Sequence, residues 1–305
     1  MALVGARNSL RKLTQRPSFW GFLFICPWLF GFLVFTAGPM LTSLFLSFQK
    51  YDLVSIKYVG AENYRRLLFE DPLFWKALKN TLFYAAVSVP LGITGSLAIA
   101  LLLNQNVRGL KLFRTCFYLP SLVPSVAAAL VWQWVFNSDN GILNTMLGMI
   151  GITGPQWLQD ERVTPWAFAI MSLWGIGGAR MVIFLAGLQG IPDSYYEAAR
   201  IDGAGSWRCF RSVTLPMLSP VMFFNLVLGV IGSFQIFTSA YVMTGGGPNH
   251  SSLYYALYLF QNAFEYFKLG KASAMAWILF SILLALTFVQ FKTSKRWVYY
   301  EGGDR

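Results

Sequence analysis

The sequence is short of charge. Only 12% of its 305 residues are Asp, Glu, Lys or Arg, against 56% hydrophobic and 17% aromatic, and the mean hydropathy is +0.51. A soluble domain of this length needs far more polar surface, so the chain reads as an integral membrane protein. Histidine occurs once, at His250, and no acidic residue falls within a long apolar run. That scarcity leaves no metal-ligand set and no evident proton relay at membrane depth, and it argues against a membrane-embedded enzyme. The three cysteines, Cys26, Cys116 and Cys209, are not placed to form an exported disulfide. No G-x-x-x-x-G-K-[ST] run is present, so the chain has no P-loop for ATP of its own.

What the chain does have is apolar runs long enough to cross about 30 Å of hydrocarbon, roughly 20 residues each. Six stand out: Phe19 to Leu46, Thr81 to Leu103, Leu112 to Phe136, Pro165 to Leu188, Pro220 to Met243 and Ala272 to Phe291. The expected architecture is all-α and polytopic. A 1–18 tail precedes a 19–291 transmembrane domain with a loop at 190–219, and a 292–305 tail follows. A seventh stretch, Leu253 to Phe267, carries Gln261, Asn262 and Glu265 among many aromatic residues, and is expected to lie as an interfacial helix on the outer surface. Glu62 to Leu68, Leu73 to Leu78 and Ile142 to Ile150 read as further short outer helices, with Trp75 as an interface anchor and Asp71-Pro72 and Asn140-Gly141 as helix starts. Pro27 and Gly38-Pro39 should kink the first span.

Lys and Arg gather in the N-terminal tail (Arg7, Arg11, Lys12, Arg16), at the second loop, in the fourth loop and in the C-terminal tail, which places both termini in the cytoplasm. The first loop, with Lys50, Lys57, Arg65, Arg66, Lys76 and Lys79, pulls weakly the other way. The first span follows basic residues as a signal peptide does, but it is too long and lacks a small-residue cleavage site, so it is expected to stay attached. The net charge of +11 is spread over several cytoplasmic segments. Anionic lipid headgroups account for it, and no nucleic-acid partner is expected.

Tyr195 to Pro216, YYEAARIDGAGSWRCFRSVTLP, is a small-residue, lightly charged island between two spans. Ser194 and Glu197 have capping-box spacing, which predicts a short helix carrying Tyr196, Ala199 and Gly203 at helical spacing. Gly203 and Gly205 should end it. Ser206 then caps a second turn with Trp207 and Phe210, and Leu215-Pro216 closes the unit. The low bulk of Ala198, Ala199, Ala204 and Gly205 suits either close docking into a partner's groove or an ordinary connecting loop.

The spacing Glu197-Ala198-Ala199, Gly203, Val213-x-Leu215-Pro216 resembles the EAA motif of importer-type ABC permeases, with Val where that family often has Ile. The runs GAENYRRLLFEDPLFWKALKNTLFYA, LFRTCFYLP, LVWQWVF and TGGGP resemble, in the same order, segments of its sugar-transporting members. The resemblance covers nearly the whole chain. It implies the type I ABC importer permease fold in a bacterial cytoplasmic (inner) membrane, a second homologous permease subunit, two ATP-binding subunits that hold ATP and Mg, and an extracytoplasmic solute-binding protein. It also implies that Tyr196, Glu197, Ala198, Ala199, Asp202, Gly203, Ala204 and Gly205 form the coupling contact with the ATPase, and that this chain carries no cofactor and is not itself an enzyme. The TGGGP loop would belong to the docking surface of the delivery protein.

The substrate pathway is less legible. Arg180 lies roughly 15 Å along a helix from Gly190, near mid-bilayer, where it needs a cavity or an acidic partner. A structural arginine bonded to helix-end carbonyls is the alternative. Asn225, Ser233, Gln235, Thr238 and Ser239 make the fifth span polar, with Gln235 and Ser239 four apart on one helical face. Such residues serve interhelical hydrogen bonding in many membrane proteins. The resemblance favours presentation to a sugar, with Trp174 and Tyr241 as aromatic faces. The expected solute is a sugar or oligosaccharide. Glycerol 3-phosphate or another anionic polyol is the alternative that Arg180 argues for, and a secondary transporter or channel acting alone is the rival from another class.

Overall fold

A computed structural model describes residues 17–51, 55–105 and 108–300. The basic tail with Arg7, Arg11, Lys12 and Arg16 lies outside the described residues. Among the described residues the secondary structure is helical apart from one small hairpin. Among the described residues four helices are long and apolar enough to cross a membrane, and the number is six when each of two bent helix pairs is counted as one span.

The first span is α1 (Pro17–Phe32) and α2 (Gly38–Ser47), joined by a π turn at Leu33–Ala37. Pro39 cannot donate a hydrogen bond and crowds the preceding turn, and widening that turn accommodates it. Pro27 stays inside α1. An antiparallel hairpin follows, β1 (Gln49–Tyr51) against β2 (Ile56–Tyr58), with Lys50 opposite Lys57. Its three-residue strands are too short for an alternating pattern, which hides them in the sequence. Then comes α3 (Glu62–Phe69).

Helix α4 (Pro72–Leu103) is the mast of the bundle. Asp71 caps it, accepting from the backbone N–H of Leu73 at 3.0 Å and of Phe74 at 3.2 Å, with Pro72 in the first turn where its missing N–H costs nothing. Leu73 to Leu78 is therefore not a separate surface helix, contrary to the sequence reading. It is the N-terminal end of the second span, which the expected topology places outside, because nothing between Leu78 and Thr81 breaks the helix. Phe74, Ala77, Leu78 and Ala85 feed an outer core, and Val89, Ile93, Leu97, Ala100 and Leu103 feed an inner one.

The third span is bent through 95°, between α5 (Leu110–Tyr118) with its 3-10 turn to Leu122 and α6 (Ser125–Val135). Pro120 and Pro124 remove two backbone donors, and Val123 is extended between them. The sequence reading took Leu112 to Phe136 as one span and did not anticipate this bend. Helix α7 (Ile142–Met149) then lies where the Asn140-Gly141 start predicts it. The fourth span, α8 (Thr164–Ser172) and α9 (Ala179–Gln189), bends by 48° around a glycine-rich break. A Cβ on Gly177 would strike the Phe117 carbonyl, so glycine there lets the two bends meet. Ser96 of α4 donates to the freed Ile176 carbonyl at 2.6 Å.

After α10 (Asp193–Ile201), the chain runs from α11 (Ser206–Cys209) through a π turn into α12 (Leu215–Phe234). A short α13 (Thr238–Met243) follows. The segment with α14 (Tyr255–Phe260) does not span, but neither does it lie at a lipid surface. Leu253, Tyr254, Tyr255, Leu257 and Tyr258 are almost wholly buried in the outer core. Tyr255 donates its N–H to Thr81 at 2.8 Å and its hydroxyl to the Met275 carbonyl at 2.7 Å. The aromatic density read as interfacial is protein packing: Tyr254 meets Tyr84 and Phe168, and Tyr255 meets Phe74. Helix α15 (Leu269–Ser294) closes the bundle against α2, with Trp277 donating to Ser43 at 3.2 Å.

Asp71, Tyr258 and Lys271 pin the outer ends of α4, α14 and α15 together. Lys271 Nζ lies 2.7 Å from Asp71 Oδ2, and the Tyr258 hydroxyl donates to the same oxygen at 2.7 Å. Burial works against the Asp71 charge. The bonds from Lys271 and Tyr258 outweigh it and hold the carboxyl below its ordinary range.

Candidate functional site: a docking knob and a membrane-depth arginine

Helix α10 starts on Pro192, whose extended ψ of 137° supplies the N-cap geometry without a side chain. Ser194 therefore sits inside the first turn, and the predicted capping box with Glu197 does not form. The helix ends as the glycines suggest. Gly203 adopts the left-handed region at φ +75°, its N–H bonded to the Arg200 carbonyl and that of Ala204 to the Ala199 carbonyl, both at 2.9 Å. This is the paired closure of a Schellman terminus. Gly205 is in ordinary extended backbone and caps α11.

Tyr196 and Ala199 face inward. The Tyr196 ring packs against the inner core, and its hydroxyl lies 3.1 Å from Thr214 Oγ1 at the base of the fifth span. Glu197, Ala198, Asp202, Gly203 and Gly205 are exposed, while Ala204 is half-buried beside Cys209. Two apolar side chains crown this surface. Ile201 is 86% exposed and Trp207 72%. Sequence reasoning did not single out Ile201, although an isoleucine between Arg200 and Asp202 in a polar turn is placed to be exposed. The expected closure at Leu215-Pro216 is absent: Pro216 falls in the first turn of α12, where it is tolerated, so knob and span form one helical rod. From Ser206 to Gly229 that rod covers roughly 35 Å.

Within the bent fourth span, Arg180 opens α9 immediately after the break at Gly178. Two glycines hold its place. A Cβ on Gly92 of α4 would collide with Arg180 Nη1, and one on Gly229 of α12 would lie 3.4 Å from Nη2. The guanidinium makes no hydrogen bond among the described residues, so the carbonyls of the broken fourth span do not hold it. Asn225, Gly229 and Ser233, spaced by four residues, fall along one side of α12, with Gly229 the member next to the guanidinium. The two polar members are committed locally, Asn225 to the Val221 carbonyl at 2.9 Å and Ser233 to that of Val230 at 2.7 Å.

The remaining pathway candidates are scattered outward. Gln235 is exposed at the C-terminus of α12, and the chain breaks at Phe237 before Thr238 and Ser239 begin α13. Gln235 and Ser239 thus do not share one helical face as their spacing suggested. Tyr241 stacks on Phe237 at 5.5 Å, and Trp174 is half-exposed, edge-on to Trp132 at 5.8 Å. The TGGGP loop folds back on the protein, with Gly245 and Gly246 at positive φ and Ser252 bonded to Thr244 and Gly247.

A polytopic helical bundle with bent spans and an exposed helical knob at the foot of its fifth span is the architecture of a transporter's membrane component. The chain belongs to the family of binding-protein-dependent transport system inner membrane components, whose model matches residues 77–297. It is 45% identical to the probable ABC transporter permease protein YesP of Bacillus subtilis, over 93% of each chain. It is 36% identical to the lactose transport system permease protein LacF of Rhizobium radiobacter, covering 95% of this chain and 98% of that one. The permease protein MalF of the trehalose/maltose transport system of Thermococcus litoralis is 33% identical over 94% of this chain and 98% of its own. In fold it is similar to a chain of a bacterial ABC transporter involved in the import of alginate, with a TM-score of 0.82 over 95% of this chain and 99% of that one at 21% identity.

Proposed function

We propose that this chain is the transmembrane permease subunit of an ATP-driven importer for a sugar or oligosaccharide delivered by a solute-binding protein. The observation that carries the reading is the knob: α10, closed at Gly203, presents exposed Ile201, and the next turn, α11, presents exposed Trp207 and runs on into the helix that passes Arg180. An ATP-binding subunit seated on it would move α12 as a lever. Tyr196 and Thr214 tie α10 to that lever, and displacement reaches the Asn225–Gly229–Ser233 stripe without crossing a loop. Burying Ile201 and Trp207 in a partner would contribute about 1.5 to 3 kcal/mol each. The names of the relatives support a saccharide, since they cover lactose, trehalose/maltose and arabinooligosaccharides.

In this reading a second homologous permease completes the pathway, two ATPase subunits hold ATP and Mg below, and both termini face the cytoplasm. Alternating access then rocks the two bundles about the centre. Trp174, Gln235, Thr238, Ser239 and Tyr241 would offer the sugar its outer contacts, and Arg180 with the stripe its inner ones. The test is uptake by proteoliposomes holding the co-purified complex. Saccharide accumulation that requires both internal ATP and the binding protein is the expected result, and ATP-independent uptake by the isolated chain refutes it. A cysteine at Gly303 should be labelled only from the inner side.

A further inference from the structure

We infer that the transported saccharide is anionic and that Arg180 is the residue that selects its charge. The inference rests on the permease reading and narrows its substrate class. Its basis is the arginine's lack of partners. The described spans contain no Asp or Glu, and the guanidinium makes no hydrogen bond there, although it is only partly exposed. Its ionisable neighbour on α4 is Tyr84, a phenol that is neutral at physiological pH.

A cation at this depth is costly unless something compensates it. A structural arginine would solve that with carbonyls, and the break at Ile176–Gly178 offers them, yet Ser96 takes the Ile176 carbonyl and Arg180 takes none. The sequence instead keeps Gly92 where any side chain would intrude on the guanidinium, and Gly229 where a Cβ would come into van der Waals contact with it. Both keep room around a planar fork of donors. Such a fork matches a carboxylate, sulfonate or phosphate oxygen pair, and a neutral hydroxyl would leave the charge uncompensated. The oxyanion on the sugar thus supplies the counterion that the chain lacks, and Ser233, one turn from Gly229, stands on the same stripe toward the rest of the ring.

The test is uptake by the complete complex with its binding protein, using three matched pairs. These are uronate disaccharides with their carboxyl-reduced forms, a sulfonated glycoside with its hydroxyl analogue, and glycerol 3-phosphate with glycerol. The parental complex should take up at least one anionic member, and the pair that responds identifies the oxyanion. Arg180→Gln should lower that uptake by about tenfold or more and leave the neutral partner within about twofold, with Arg180→Lys intermediate. Gly92→Ala, which displaces the guanidinium but keeps its charge, should show the same selective loss and covers the case in which Arg180→Gln fails to assemble. An equal fall for both members of a pair places Arg180 against the second permease and overturns the inference. So does an unchanged profile, or a parental complex that imports only neutral sugars; ATP-driven uptake of those sugars would leave the permease reading standing. Absence of any ATP-dependent saccharide uptake overturns both.

Discussion

Gly203 offers the sharpest separation of backbone geometry from bulk. It sits at φ +75°, and a Cβ built on it meets nothing within 4 Å. Substitution therefore brings conformational strain and no clash. Holding an L-residue in the left-handed region costs about 1 to 2 kcal/mol, which corresponds to a roughly 5- to 30-fold shift against the native loop closure. Gly203→Ala should therefore lower saccharide uptake per ATP hydrolysed by up to that factor while the subunit still inserts. Gly203→Asn, which tolerates the left-handed region, should recover much of the loss, and β-branched Gly203→Val should be worse than Ala. The assay is ATP hydrolysis and uptake measured together in proteoliposomes, with Gly148→Ala on the outer helix α7 as a control at another open glycine. If Ala coupled at the parental level, or if Asn were no better than Ala, the Schellman closure would not be what presents α10 to the ATPase.

Ile201→Ser should reduce the amount of ATPase retained on purification, because about 1.5 to 3 kcal/mol of apolar burial is removed without touching the fold; retention can be read by densitometry. Asp71→Asn removes the charge from a mostly buried pair with Lys271 but keeps the side chain's shape, and should destabilise this junction by about 1 to 3 kcal/mol, the cost of leaving a hydrogen-bonding partner unsatisfied, in thermal unfolding of the detergent-solubilised protein. Because the Asp71 carboxyl is held below its ordinary range, its contribution is complete at neutral pH and is lost only as pH falls through that lowered value. The parental protein should thus lose junction stability in strong acid, and the Asn variant should lose less over the same interval. On the proposed pathway, Gln235→Ala would remove one neutral hydrogen bond to the sugar, of about 0.5 to 1.5 kcal/mol, so transport should weaken roughly twofold to tenfold and not disappear.

Apolar runs, the Asp71-Pro72 start, the Asn140-Gly141 start and the glycine terminus of the knob were all legible, because each is a local rule with a local cause. The bends were not. Leu112 to Phe136 and Pro165 to Leu188 have the composition of unbroken spans, and how far the helices turn depends on contacts distant in sequence, such as Gly177 against Phe117. Leu253 to Tyr258 misled for the opposite reason. Its polar atoms resembled those of an interfacial helix, but their partners, Asn80, Thr81 and Asp71, lie more than 170 residues earlier in the chain. At the knob, Ser194 and Glu197 had the right spacing, but Pro192 had already set the helix start. In the pathway, periodicity assumed an unbroken helix through Gln235 and Ser239. Arg180 was visible as an anomaly, yet Gly92 and Gly229, which explain how it fits, carry no signal of their own.

The central claim, that the α10–α11 knob is where an ATP-hydrolysing subunit drives this permease, is tested most directly by cross-linking from Ile201. A cysteine at that position in the tagged chain, treated with a short bifunctional reagent in native membranes, should trap a co-purifying ATPase subunit, with a yield that changes when nucleotide is added. A cysteine at Ile201 that trapped no ATPase, in membranes where the chain still supported uptake, would contradict it.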